Sequence, residues 1–381
     1  MSPSPDMDTR PYTEFINVAD GNDWGQESAI TKVHEAAFLD VSDERLKDAS
    51  GLFFHFTDKI YVRKDYQELY TYLCDEFDKG NMGVIVSGSP GIGKSFFNLY
   101  ALARRLAQKK TTILRTGPGF CFIFDEQGPS GIPDPSKLGH NKLRLPVSRR
   151  QDFIWVLYDS HQKSAEPLSA FTTRSSFLVQ TTSPDAGNFF HWYKQGSPFV
   201  GIWYMNVWGF EELRAGSSLE LHNRHLKEED YYYFYGPCIR DHLIGRKHFI
   251  TACKQAVTSI NNVQKFAHAF EAVTSLESAS NSRVPHRIFI LRVLEDGEER
   301  REKPALDFKS AYTLEQIREK FAQVKNFESE ILFSACQGVS QTGILRDWVF
   351  ENLAIEYTSG NMKSFRKKVG PLYDMIQVPM C

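Results

Sequence analysis

The chain has 381 residues, 41% hydrophobic and 13% aromatic, enough apolar material for one large core or two smaller ones, which excludes a disordered polypeptide. Against 47 acidic residues stand 45 lysines and arginines, a formal net charge of −2, so no global basic field marks a nucleic-acid binder. Six cysteines without a Cys-x-x-Cys pair, a polar N-terminus (MSPSPDMDTRPYTEF) and the lack of any window of roughly 18 apolar residues point to a reduced, soluble protein of the cytoplasm or nucleus, with neither secretory signal nor membrane span.

In chain order, residues 1–50 read as a polar tail followed by one amphipathic helix, SAITKVHEAAFLDV (28–41). Residues 51–250 alternate short β-rich runs with helical patterns, which predicts an α/β layer structure with a mostly parallel sheet flanked by helices. YQELYTYLCDEF (66–77) has apolar residues at helical spacing and leads into a strand at 84–88; SFFNLYALARRLAQKK (95–110) is the next helix. Further strands fall at 111–116, 153–159, 176–182 and 199–205. FCFIFDEQG (120–128) follows a three-residue connection and so forms a hairpin with TTILRT. The Gly/Pro-rich run 125–150 reads as a surface loop. Residues 251–381 form a smaller mixed, mainly helical subdomain: helix over 250–276, a strand in HRIFILRVLE, and helices TLEQIREKFAQV and TGILRDWVFENLAIEY.

The strongest local signal is VIVSGSPGIGKSFF (84–97). Gly88, four residues, then Gly93-Lys94-Ser95 satisfies G-x-x-x-x-G-K-[ST], with a strand before it and an amphipathic helix after it. Glycines let the backbone curl so that the amides of Gly88, Ser89, Gly91, Ile92, Gly93, Lys94 and Ser95, with Pro90 at the bend, converge on phosphate oxygens. The helix adds its positive end. Lys94 reaches the β/γ oxygens as a point charge, and the Ser95 hydroxyl joins the shell of a Mg²⁺ ion. The predicted fold is therefore that of a P-loop NTPase, and the predicted cofactors are ATP or GTP with Mg²⁺.

A carboxylate must serve the metal from a strand end. Asp159 ends FIWVLYD after a long crossover, so it can sit on a parallel strand beside the loop. Asp125 has the better local pattern but lies on a strand running the other way. Ser160 stands where a catalytic glutamate is common; Glu126 is a substitute base. Thr182 and Ser183, at the next strand's tip, can orient an attacking water or form a simple hydroxyl turn. Arg240, after a Gly-Pro turn at a helix start, can place a guanidinium on transition-state charge. His222 and His225 lack further ligands, and the aromatic stretches 203–210 and 231–233 read as packing.

These pieces in this order resemble the NTPase module of the Crinkler effectors and of the related retrotransposon-hot-spot proteins. The residues concerned are IYVRKDYQELY (60–70), GSPGIGKSFFNLYALARRL (88–106), the strand ending in Asp159, TTSP (181–184), WGFEEL (208–213), GPCIR (236–240) and WVFENLA (348–354). The resemblance implies an NTPase coupled to a toxin-like module acting on host cells, and a finger role for Arg240. GPCIR departs from the family's Gly-Gly-x-Pro-Arg turn. No LFLAK-type header shows in 1–50, and the Glu-x-Lys of the nuclease domain occurs nowhere. The expectation is an NTPase-only member or a truncated product, serving a protein partner or homo-oligomer. The competing expectation is a nucleotide-binding switch without turnover.

Overall fold

The apolar runs of the central segment become strands buried on both faces, as parallel sheets covered by helices require. The computed structural model describes residues 38–40, 59–117, 120–125, 128–133, 154–160, 166–172, 176–184, 189–217, 228–244, 246–259, 286–293 and 304–321. Its centre is a seven-stranded sheet in the order β6 (Gly128–Pro133), β5 (Phe120–Asp125), β4 (Thr112–Gly117), β7 (Ile154–Asp159), β8 (Ser176–Thr181), β3 (Gly83–Ser87), β9 (Val200–Tyr204). From β4 to β9 all neighbours are parallel, whereas β5 and β6 run antiparallel on the β4 edge. The hairpin read from the short 117–119 connection is there.

Helix α1 (Lys64–Asp78) carries its buried residues at Tyr66, Leu69, Tyr70 and Leu73, one stripe of a 3.6-residue period. Together with α2 (Lys94–Ala107) it covers the face to which Val84, Val86, Trp155, Leu157, Phe177 and Val179 point. The alternate residues Ile85, Val156 and Leu178 face the other way, onto Phe171, Phe189 and Trp192. Each such side chain, fully buried, contributes roughly 1.5–3 kcal/mol. Trp192 belongs to the short α3 (Phe190–Gly196); α4 (Phe210–Ser217), α5 (Glu228–Tyr235), α6 (Ile239–Leu243) and α7 (Arg246–Ser259) follow. The antiparallel pair β10 (Phe289–Val293) and β11 (Pro304–Phe308) leads to α8 (Ala311–Phe321). No helix among the described residues is long and apolar enough to cross a membrane.

Four expectations need correction. Residues 38–40 of the predicted 28–41 helix form a strand, β1 (Phe38–Asp40), paired antiparallel with β2 (Lys59–Tyr61). Tertiary pairing outweighs local helical periodicity there. Residues 128–133, read as loop, form β6 against β5. Helix α2 stops at Ala107 rather than 110; Lys109 has φ 53, off the helical path, and the cations of the last turn are Arg104 and Arg105. Arg105 lies over the Trp155 ring at 4.6 Å. Finally, β7 is not beside β3: β8 lies between them, so Asp159 ends the next strand but one. The helix over 342–357, the remainder of 250–276, His222, His225 and Glu126 lie outside the described residues.

Candidate functional site

The chain leaves β3 for β4 on one side and returns at β9 on the other, so strand order reverses at β3. A crevice at the carboxyl ends of the strands forms where order reverses. Six residues, Gly88 to Gly93, join β3 to α2 there. Gly93 precedes the helix at φ 108, and a Cβ on it would run into the Tyr66 hydroxyl. Gly91, at φ 85, would bring a Cβ to 2.7 Å from Arg240 Cβ and 2.9 Å from Cys238 Sγ.

The loop carbonyls are all engaged. Lys94 Nζ donates to Gly88 O at 2.6 Å and Ser89 O at 2.8 Å. The Cys238 thiol donates to Pro90 O (3.3 Å) and the Arg240 amide to Gly91 O (3.4 Å). Trp208 Nε1 and Arg63 donate to Ile92 O at 2.8 and 3.3 Å, and the Tyr66 hydroxyl to Gly93 O at 2.7 Å. In a trans peptide the N–H points opposite to the C=O. The carbonyls of residues 90–93 are held by the framework, so the amides of Gly91, Ile92, Gly93 and Lys94 turn the other way. Neither these amides nor that of Ser95 donates to an acceptor among the described residues. A bank of amides beside a lysine at a helix N-terminus is a place for an anion.

Electrostatics agree. The Lys94 ammonium is pulled down to about 7, first by burial and then by the Arg240 guanidinium, while Asp159 and Cys238 act in the opposite direction. An anion entering the loop would restore its charge. His286 is pulled down to about 4 by burial, then by Lys94 and Lys309. Burial pushes the Cys238 thiol up to about 11, so it is a neutral donor here.

The structure thus brings Arg240 and Asp159 within electrostatic reach of Lys94. Arg240 is exposed, in α6, with its backbone on the loop. The Thr181 hydroxyl donates to Asp159 Oδ1 at 3.2 Å. Thr182 follows β8; its amide donates to Val86 O at 3.0 Å and its buried hydroxyl has no partner among the described residues. Ser183 is half-buried beyond it. Ser160 Oγ accepts from Gln180 Nε2 at 2.7 Å. Asp125 is exposed at the opposite edge of the sheet, one residue past the Phe124–Thr112 pair where β4 begins. The described residues hold no group of three or more His, Cys, Asp or Glu fit for a metal by themselves, so among them a cation would need oxygens from hydroxyls and a ligand.

Several participants escaped sequence reasoning. Arg63, almost wholly buried, binds Glu212 Oε2 (2.9 Å), Asn206 O (3.0 Å), Val207 O (2.9 Å) and the loop at Ile92 O, with its guanidinium 4.8 Å from the Trp208 ring. Ser89 Oγ accepts the Leu291 amide of β10 at 2.7 Å. The aromatic stretch 203–210 reads correctly as packing, yet Trp208 also holds the loop. None of these roles has a local spacing signal, because each partner is far away along the chain.

No family model matches the chain. Two curated proteins of Phytophthora infestans, Crinkler effector protein 15 and Crinkler effector protein 16, are each 30% identical to it over 161 residues. That stretch is 41% of this chain and 24% of each relative, so the chain spans about a quarter of the proteins it matches. Over that part, the chain is similar to Crinkler effectors.

Proposed function

We propose that this chain is a Mg²⁺-dependent, ATP-binding P-loop NTPase of the Crinkler effector type, acting in the cytoplasm or nucleus, with residues 51–250 as its nucleotide domain. The observation that carries the reading is the outward anchoring of the carbonyls of residues 90–93, which leaves a row of amides beside Lys94. The loop from Gly88 to Ser95 binds the β- and γ-phosphates. Lys94 neutralises them, and its depressed ammonium is recharged by the anion. Ser95, whose hydroxyl has no partner among the described residues, and Asp159 would hold Mg²⁺. That ion supplies charge neutralisation on the phosphate oxygens. The Thr182 hydroxyl, without a partner among the described residues, orients water, and Arg240 meets the charge developing on the γ-phosphate. Because Leu291 holds Ser89 and the turn carrying Cys238 and Arg240 holds Pro90 and Gly91, residues 251–381 or a protein partner bound there sense the nucleotide.

The test is binding of fluorescent ATP and GTP analogues together with a phosphate-release assay. Lys94→Ala should abolish both signals, and Asp159→Asn should lose only the Mg²⁺-dependent part of binding, while Asp125→Asn leaves it intact. Unchanged binding by Lys94→Ala would sink the reading. A second reading, a nucleotide-held switch without turnover, is favoured by Ser160, whose hydroxyl is engaged by Gln180 where a general base would stand. It predicts Mg²⁺-dependent binding with no phosphate release.

A further inference from the structure

Helix α2 buries one amide among mostly apolar side chains, its other buried polar group being Arg105. Asn98 is fully buried, as are its sequence neighbours Phe97, Leu99, Tyr100, Ala101 and Leu102. A buried amide costs free energy unless it is hydrogen-bonded, so its partner has to matter. Asn98 Nδ2 donates to Thr181 Oγ1 at 2.9 Å. That occupies an acceptor site of the hydroxyl and leaves its single proton for Asp159 Oδ1 at 3.2 Å, with Tyr158 O more distant at 3.4 Å. The three residues come from three elements: the helix that follows the loop, the last residue of β8, and the last residue of β7. Asn98 lies three residues beyond Ser95, on the same side of α2. One chain of two hydrogen bonds thus ties the helix presenting Ser95 to the carboxylate one strand further away than expected.

We propose that Thr181, oriented by Asn98, is a positioning residue that fixes the Asp159 carboxylate for the divalent cation accompanying the nucleotide. This rests on the nucleotide reading above. Partners of this kind, one bond removed from a metal, change affinity by about 10–100-fold when lost. Thr181→Val keeps the shape and removes the proton that holds Asp159; Thr181→Ser keeps the proton; Asn98→Ala frees the hydroxyl to rotate.

The experiment titrates MgCl₂ into full-length protein with a fluorescent ATP analogue, and separately measures analogue affinity in EDTA. Thr181→Val should raise the half-saturating Mg²⁺ concentration about 10–100-fold and leave the EDTA affinity unchanged. Asn98→Ala should shift it in the same direction by less, and Thr181→Ser should restore it. A merely structural role would lower both affinities together, and that result overturns the assignment. So does an unshifted Mg²⁺ titration in Thr181→Val or, if that variant does not fold, in Asn98→Ala. Wild-type binding that ignores Mg²⁺ overturns the metal site and this assignment with it; wild-type protein that binds no analogue overturns the nucleotide reading itself.

Discussion

Arg63→Ala is the substitution whose cost the structure defines best. The guanidinium makes five hydrogen bonds: two to Glu212 Oε2 and one each to Ile92 O, Asn206 O and Val207 O. Removing it takes the charge partner from half-buried Glu212 and the side-chain donors from Asn206 O and Val207 O, while among the described residues Ile92 O keeps only Trp208 Nε1 and Glu212 only the Gly209 amide. Breaking such a buried pair costs roughly 3–5 kcal/mol, a large share of the 5–15 kcal/mol that holds typical domains together. With an m-value of about 3 kcal/mol/M, the urea midpoint should fall by about 1–2 M. Arg63→Lys should recover little, because one ammonium cannot span a carboxylate and three carbonyls. Tryptophan fluorescence is a suitable readout, since the guanidinium covers the Trp208 ring. A midpoint loss below about 0.3 M, under 1 kcal/mol by that slope, would show that the cation does not brace the loop. Full recovery in Arg63→Lys would refute the multidentate argument.

Gly91→Ala should cost about 1–2 kcal/mol from its left-handed backbone alone and should weaken nucleotide binding further by pushing Arg240 away. Gly209→Ala, where a Cβ meets nothing within 4 Å among the described residues, should stay within about 0.5 kcal/mol; equal effects in denaturation would contradict the packing described. His286 is neutral in the folded protein down to about 4, facing Lys94 and Lys309. Unfolded histidine takes up a proton near 6.5, so stability is full above that pH and is lost as pH falls from about 6.5 to 4. The loss is at most about 3 kcal/mol at 1.36 kcal/mol per unit. Urea midpoints of wild type and His286→Gln should converge over that window; parallel curves would rule the histidine out.

The parallel strands were legible because their apolar runs are long and local, and the loop because glycine spacing, strand and helix are contiguous. Long-range contacts were not. GPSGIP looks like loop, yet Pro129 and Pro133 are tolerated because β6 is the sheet's edge strand. Phe38–Asp40 followed a helical pattern until Lys59–Tyr61 offered a ladder. Nothing near Asp159 reveals that β8 inserts beside β3, since strand order is decided by crossovers rather than by neighbouring residues. The Asn98–Thr181 bond spans 83 positions and the Arg63–Glu212 bond 149, beyond the reach of any periodicity.

Ser89 and Leu291 stand 202 positions apart. At translation speeds of roughly 5–20 residues per second, about 10–40 s separate the synthesis of the two. A growing chain therefore carries its glycine loop long before the backbone that clasps it leaves the ribosome.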